Sequence, residues 1–217
     1  MLSAHCVCAT LNAEHAVIRQ TIASLDELLR GAAWCQSSTE REHVAGLMRF
    51  LQQFDDSFHT PNERRLAVAL KGRSVEADRL MNDLAADGER DTAMLSRALQ
   101  LLPRLDADNA VLMDSFAGVF RQHRSDVLRR IQTEERSLQE MAKRLLSEDE
   151  WAQIASEMSW SPKVPPMDEA QGSAPVVSSA VAQRRRADDI AARLRNPHPA
   201  HLEFPGQRTS NLSSSLR

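Results

Sequence analysis

Apolar residues recur at intervals of three and four positions through the first 160 residues, which is the spacing of one face of an α-helix. Four long stretches show this pattern, and they cover residues 11–31, 38–59, 73–102 and 105–146. A fifth, shorter stretch follows at residues 147–160. Long amphipathic helices with short connections predict an all-α fold: an antiparallel four-helix bundle with a short fifth helix.

Local capping signals support these boundaries. Candidate N-terminal caps are Ser37 with Glu40, the alternative Ser38 with Glu42, and Ser147 with Glu150. Gly31 is placed to end the first helix. His15 lies on the apolar stripe of that helix, so we expect its side chain to point inward.

The composition changes near residue 160 and divides the chain into two parts. Seven of the nine prolines follow Trp160, and residues 161–217 lack a sustained apolar face. We therefore predict a helical bundle at residues 8–160 and a largely disordered tail, rich in Pro, Ser and Arg, at residues 161–217.

Composition and charge exclude several classes of function. The net charge of -3 gives no reason to expect nucleic-acid binding. Three cysteines are too few for a disulfide framework, which suits the cytoplasm. No apolar run is long enough for a membrane span, and no secretory signal is visible, so we expect no membrane association.

The stretch "FDDSFHTPNERRLAV" carries the candidate chemistry. His59 and Glu63 stand four positions apart, on one helical face, with Pro61 between them. Together with His15, whose side chain is expected to point inward, they can bind one metal ion in the core of a bundle. The alternative is that these residues bind no metal. His15 is then a hydrogen-bonded residue of the core, and His59 and Glu63 are a solvated pair on the helix surface.

The combination of motifs resembles the hemerythrin-like family, the HHE cation-binding domains. The first helix has the family's Leu-x-x-Glu-His setting at Leu11, Glu14 and His15, and the second has His59, Pro61 and Glu63. The segment 131–158 resembles the closing signature, with its paired glutamates and a tryptophan-bearing last helix. The resemblance covers about residues 8–158 and implies a metal-binding four-helix bundle.

Two positions depart from the family pattern. Ala77 follows Glu76 where the resemblance implies a histidine, and Arg130 stands at a second histidine position, four residues before Glu134. The ligand set implied by the resemblance is therefore reduced to His15, His59, Glu63 and Glu134. Two imidazoles and two carboxylates suit one ion of Fe(II), Mn(II) or Zn(II), whereas a two-iron site is not expected.

Arg130 admits two interpretations of its own. Its guanidinium can stand in electrostatically for the lost ion between Glu63 and Glu134, or its side chain can extend to the surface.

The leading functional hypothesis is a metal-binding protein, not an enzyme, that takes part in oxygen, nitric oxide, redox or iron sensing or handling. Iron is the expected cofactor, at most one ion per chain, and the site can also be empty of metal. The alternative is a metal-free interaction module that contacts a protein partner through the tail segment "RRRADDIAARLR". An enzyme with a mononuclear iron centre is a third hypothesis, although the chain lacks a phosphate-binding glycine loop, a nucleophile elbow and a CxxC pair.

Overall fold

The computed structural model describes residues 2–30, 33–105 and 109–159, and all regular structure in these ranges is helical. The prediction of an all-α fold is thus confirmed for this part of the chain. The tail predicted to be disordered, residues 161–217, lies outside the described residues. None of the described helices is both long enough and apolar enough to cross a membrane.

The described helices, in chain order, are α1 (Leu2–Leu28), α2 (Ala33–Gln36), α3 (Ser38–Phe54), α4 (Thr60–Leu70), α5 (Val75–Leu101), α6 (Ala110–Thr133), α7 (Gln139–Leu145) and α8 (Glu148–Ser159). A π-helical turn at Asp55–His59 joins α3 to α4, and a second at Glu134–Leu138 joins α6 to α7. Each of these pairs therefore forms one continuous helical segment. A short 3₁₀ turn, Leu102–Arg104, ends α5.

Side chains just outside the helices satisfy their first backbone N–H groups. Ser37 accepts a hydrogen bond from the backbone of Glu40, which confirms the first of the two caps considered for α3. Ser147 and Glu150 cap each other's backbone N–H groups at the start of α8, so the predicted capping box is also confirmed. Between α4 and α5, Gly72 adopts a φ of 76°, a conformation that favours glycine.

Contacts between charged and polar side chains show the relative directions of the long segments. The pairs that join α1 to the α6–α7 segment are Asn12 with Gln139 and Asp26 with Arg124. The pairs that join α5 to the same segment are Glu76 with Arg144 and Asp91 with Arg130. In both sets the residue numbers rise on one side as they fall on the other. The α6–α7 segment therefore runs opposite to α1 and to α5.

Two apolar clusters fill the interior of the described helices. The first includes Ile18, Leu51, Leu95 and Ile131. The second includes Leu11, Leu66, Leu84 and Leu138. Each long segment thus contributes to both clusters.

Between the two clusters lies a buried polar layer to which every long segment contributes, through His15, His59, Asp91 and Glu134. These four residues are at most 2% exposed. Burying so many polar groups costs free energy unless they pair with one another or with a bound ion. The polar layer is therefore the candidate functional site.

Candidate metal centre

Three side chains of the polar layer converge on one point. One ligand atom each from His15, His59 and Glu134 lies within 4.8 Å of the others, and all three residues are buried. Among the described residues this is the one group of three or more His, Cys, Asp or Glu side chains with the geometry to hold a metal ion. The three residues come from α1, the α3–α4 segment and the α6–α7 segment, so the site exists only in the folded chain.

Two of these residues lie in the π-helical turns. His59 is the last residue of the first turn, and Glu134 is the first residue of the second. Pro61 explains the first turn, because proline has no N–H group and its ring clashes with the carbonyl of the preceding turn in a regular α-helix. The backbone of Thr60 instead bonds Asp55 five residues back. Such turns are frequent at functional sites because they redirect a side chain.

One carboxylate oxygen is shared by both histidines. The Nε2 atom of His15 lies 2.8 Å from Oε2 of Glu134, at hydrogen-bond distance. The Nε2 atom of His59 lies 3.2 Å from the same oxygen but makes no well-aligned hydrogen bond. The other oxygen of Glu134, Oε1, also lacks a hydrogen-bond partner. Buried atoms without partners are unusual, and here both are good metal-ligand atoms.

The second nitrogen of each imidazole faces a further carboxylate. Nδ1 of His15 lies 3.1 Å from Oε1 of Glu135, and Nδ1 of His59 lies 3.4 Å from Oε2 of Glu14. Each histidine is therefore held between two carboxylates.

The carboxylates change the acid–base properties of the layer. Burial lowers the pKa of His59, but the neighbouring Glu134 and Glu14 outweigh it and raise the pKa to about 10. Burial raises the pKa of Glu134, but the hydrogen bond to His15 and the nearness of His59 and Arg130 hold that pKa below its ordinary value. Without metal, the site thus pairs the ionised carboxylate of Glu134 with the protonated imidazole of His59.

Arg130 occupies the other side of the polar layer and is 2% exposed. Its guanidinium faces four carboxylates, and the distances are 2.9 Å to Asp91, 3.2 Å to Asp55, and 3.6 Å to each of Glu63 and Glu134. The structure therefore supports the internal counter-charge and contradicts the interpretation that this side chain extends to the surface.

The carboxylates around Arg130 outnumber the cations. Burial and the charge of Glu134 raise the pKa of Glu63 to about 7. Burial raises the pKa of Asp91 to about 6, although Arg130 acts in the opposite direction. One guanidinium is thus insufficient to stabilise all of these carboxylates in their ionised form.

The structure separates the residues named from the sequence. His15, His59 and Glu134 lie together, whereas Glu63 is outside this group and faces the Nη1 atom of Arg130 at 3.6 Å. Ala77 is buried at the start of α5, fourteen positions before Asp91. At the rise of an α-helix this places Ala77 about 21 Å from the polar layer, and Asp91 is the residue of α5 that reaches Arg130.

Several polar residues around the site were not singled out from the sequence: Glu14 in this role, Asp55, Asp91 and Glu135. A signal existed for Asp91, because it lies at helical spacing from the apolar residues Leu84, Leu95 and Ala98. No comparable signal marks Asp55, whose position depends on the π-helical turn.

No protein-family model matches the chain, and no curated protein sequence matches it.

Proposed function

We propose that the chain is a hemerythrin-like metal-binding protein whose long helical segments form an antiparallel four-helix bundle around a single metal ion. The proposed ligands are His15, His59 and Glu134. The observation that carries the proposal is the convergence of these three buried ligand atoms, within 4.8 Å of one another, from three separate helical segments.

The charges in the layer support a bound cation. Four carboxylates surround the one guanidinium of Arg130. Burial raises the pKa of Glu63 and of Asp91 although that guanidinium acts in the opposite direction. A divalent ion beside Glu134 is attracted by this buried carboxylate, and burial strengthens that interaction. It also gives a partner to Nε2 of His59, which has no hydrogen-bond partner in the layer.

The donor set limits the choice of metal. Two imidazole nitrogens and one carboxylate oxygen suit Fe(II), Mn(II) and Zn(II), and a site with few protein ligands keeps open positions for a small ligand. The resemblance to hemerythrin-like proteins favours iron. We propose a mononuclear centre, because the guanidinium of Arg130 already provides a fixed positive charge on the other side of Glu134.

The proposed role is binding rather than catalysis: sensing or handling of oxygen, nitric oxide, redox state or iron. Reversible dioxygen binding by an iron pair is disfavoured, because that chemistry draws one electron from each of two irons. A cytoplasmic location belongs to the same proposal and is supported by the low cysteine content.

A second candidate function is a metal-free interaction module. It is favoured by the way His15 lies between Glu134 and Glu135, since both ring nitrogens then have carboxylate partners without a metal. In that case the polar layer is a structural network.

The deciding experiment is elemental analysis of the protein purified without a histidine tag, before and after anaerobic addition of Fe(II), Mn(II) or Zn(II). We expect no more than one ion per chain after dialysis. His59→Ala removes one of the two imidazoles and should abolish binding, whereas the control His43→Ala, on α3 outside the group, should not. Absence of bound metal under all conditions would reject the metal-binding proposal.

A further inference from the structure

The two histidines of the candidate centre are supported in the same way by carboxylates from other helical segments. Glu135, next to the ligand Glu134, faces Nδ1 of His15 at 3.1 Å. Glu14, next to the ligand His15, faces Nδ1 of His59 at 3.4 Å. Each supporting carboxylate is therefore the chain neighbour of one ligand and the partner of another.

Each supporting carboxylate is itself held in place. Arg19 donates two hydrogen bonds to Glu135, both at 2.7 Å, in the bidentate geometry that orients a carboxylate best. Asn62 donates to Glu14, and Arg65 in turn donates to Oδ1 of Asn62 at 2.8 Å. Both chains of hydrogen bonds start at an imidazole and end at an arginine.

We propose that Glu135 and Glu14 are positioning residues of the metal centre. By accepting a hydrogen bond from Nδ1–H, each keeps the proton on that nitrogen and leaves the lone pair of Nε2 to bind a metal ion together with Glu134. Such partners of a ligating histidine fix its tautomer and orientation and increase its basicity. The inference rests on the proposed function, because it concerns the same site.

The two supports differ in strength. Glu135 is closer to its histidine than Glu14 is, and it is clamped by a charged bidentate partner rather than by an amide. Glu135 is therefore the larger contributor. The side chain of Arg19 is 40% exposed. A substitution of Arg19 therefore removes the partner of Glu135 without leaving a cavity in the core.

The test compares Glu135→Leu, Glu14→Leu and the control Glu140→Leu, an exposed residue of α7 that pairs with Lys143. The Zn(II) dissociation constant is measured by competition with a chelator. We expect binding to weaken by about 10- to 100-fold in Glu135→Leu, and less in Glu14→Leu, because loss of such partners has this effect in other metal sites. The control should bind Zn(II) as the parent does.

Two further variants protect the test against misfolding. Glu135→Gln keeps an acceptor oxygen and should recover much of the affinity lost in Glu135→Leu. Arg19→Met leaves the polar layer intact and should still weaken Zn(II) binding by about 10-fold, the lower end of the range expected for Glu135→Leu. At saturating Co(II), the visible spectrum of Glu135→Leu should differ from that of the parent, which a purely structural role does not predict.

The outcomes separate the two levels of the proposal. If the parent protein binds neither Zn(II) nor Co(II), the proposed function fails and the inference fails with it. If the parent binds and Glu135→Leu, Glu135→Gln and Arg19→Met bind equally well with unchanged Co(II) spectra, the inference alone is overturned. Weaker binding in Glu135→Leu and Arg19→Met, with partial recovery in Glu135→Gln, supports it.

Discussion

Arg130 and Glu134 lie one helical turn apart, and Nη1 of the arginine is 3.6 Å from Oε1 of the glutamate inside the polar layer. The other oxygen of Glu134 faces the two histidines. One carboxylate thus joins a fixed guanidinium to a candidate metal position. This arrangement explains why the layer tolerates several buried carboxylates, and it makes Arg130 the first residue to test.

Replacing Arg130 by Met should destabilise the protein by about 3–5 kcal/mol near pH 7, because it leaves buried carboxylates without their cation. The loss should shrink as the pH falls through 7 towards 6, the range in which Glu63 and Asp91 take up protons. Urea unfolding of the metal-free proteins at several pH values measures this. The control is Arg129→Met, whose side chain is 55% exposed and should matter little. Equal stability of Arg130→Met and the parent at pH 7 would exclude the counter-charge role.

The position of Ala77 leads to a prediction about metal content. Arg130→His places an imidazole in the polar layer, whereas Ala77→His adds one about 21 Å along α5 from Asp91. The double variant should therefore bind no more iron than Arg130→His alone. Because Ala77 is fully buried, the larger side chain should also lower stability, by about 1–3 kcal/mol. Elemental analysis of the three proteins checks the first expectation, and a higher iron content in the double variant would contradict it.

His123 should make the protein less stable in mild acid. The ring is 2% exposed, neither nitrogen has a well-aligned hydrogen-bond partner, and it borders a cavity of about 20 Å³ beside Asp91 and Arg130. Burial and the charge of Arg130 lower its pKa from 6.5 to about 4. The unfolded chain therefore takes up a proton below pH 6.5 that the folded chain resists. The contribution of His123 to stability should therefore fall between pH 6.5 and 4 by an amount on the order of 3 kcal/mol, whereas Glu63 and Asp91, whose pKa values are raised, contribute in the opposite direction.

The variant His123→Leu isolates this effect, because it removes the titrating ring and leaves the opposing trend of Asp91 in place. As the pH decreases from 6.5 to 4, the free energy of unfolding of His123→Leu should decrease less, or increase more, than that of the parent. His5→Leu, at an exposed position of α1, is the control and should keep the parent's slope. Identical slopes for parent and His123→Leu would refute the assignment.

Truncation after residue 162 should leave the thermal midpoint nearly unchanged. The removed segment is rich in proline and lacks a sustained apolar face, so it has little apolar surface to offset the entropy lost on ordering. Thermal unfolding of the full chain and the truncated chain provides the comparison. A decrease of several degrees would mean that the tail packs against the helices.

The sequence by itself determined the local features of this protein. Helical periodicity depends on neighbours three and four positions apart, so the long helices and the inward position of His15 were predictable. Caps are equally local, which is why Ser37 and the Ser147–Glu150 box were identified correctly. The same holds for His59, which the periodic pattern placed in the second helical stretch.

The tertiary structure decided which of these residues meet. Helix–helix register is set by side-chain packing over the whole interface, so no local rule places Asp91 rather than Ala77 beside Arg130. The burial of Arg130 depends on Asp91 and Asp55, which are 39 and 75 positions away in the chain. The π-helical turns shift the direction of side chains by a fraction of a turn, and this places Glu134 at the histidines while Glu63 faces the guanidinium. The sequence pattern of one helix shows which of its faces is apolar. Which residues of the other helices that face contacts is decided only in the packed fold.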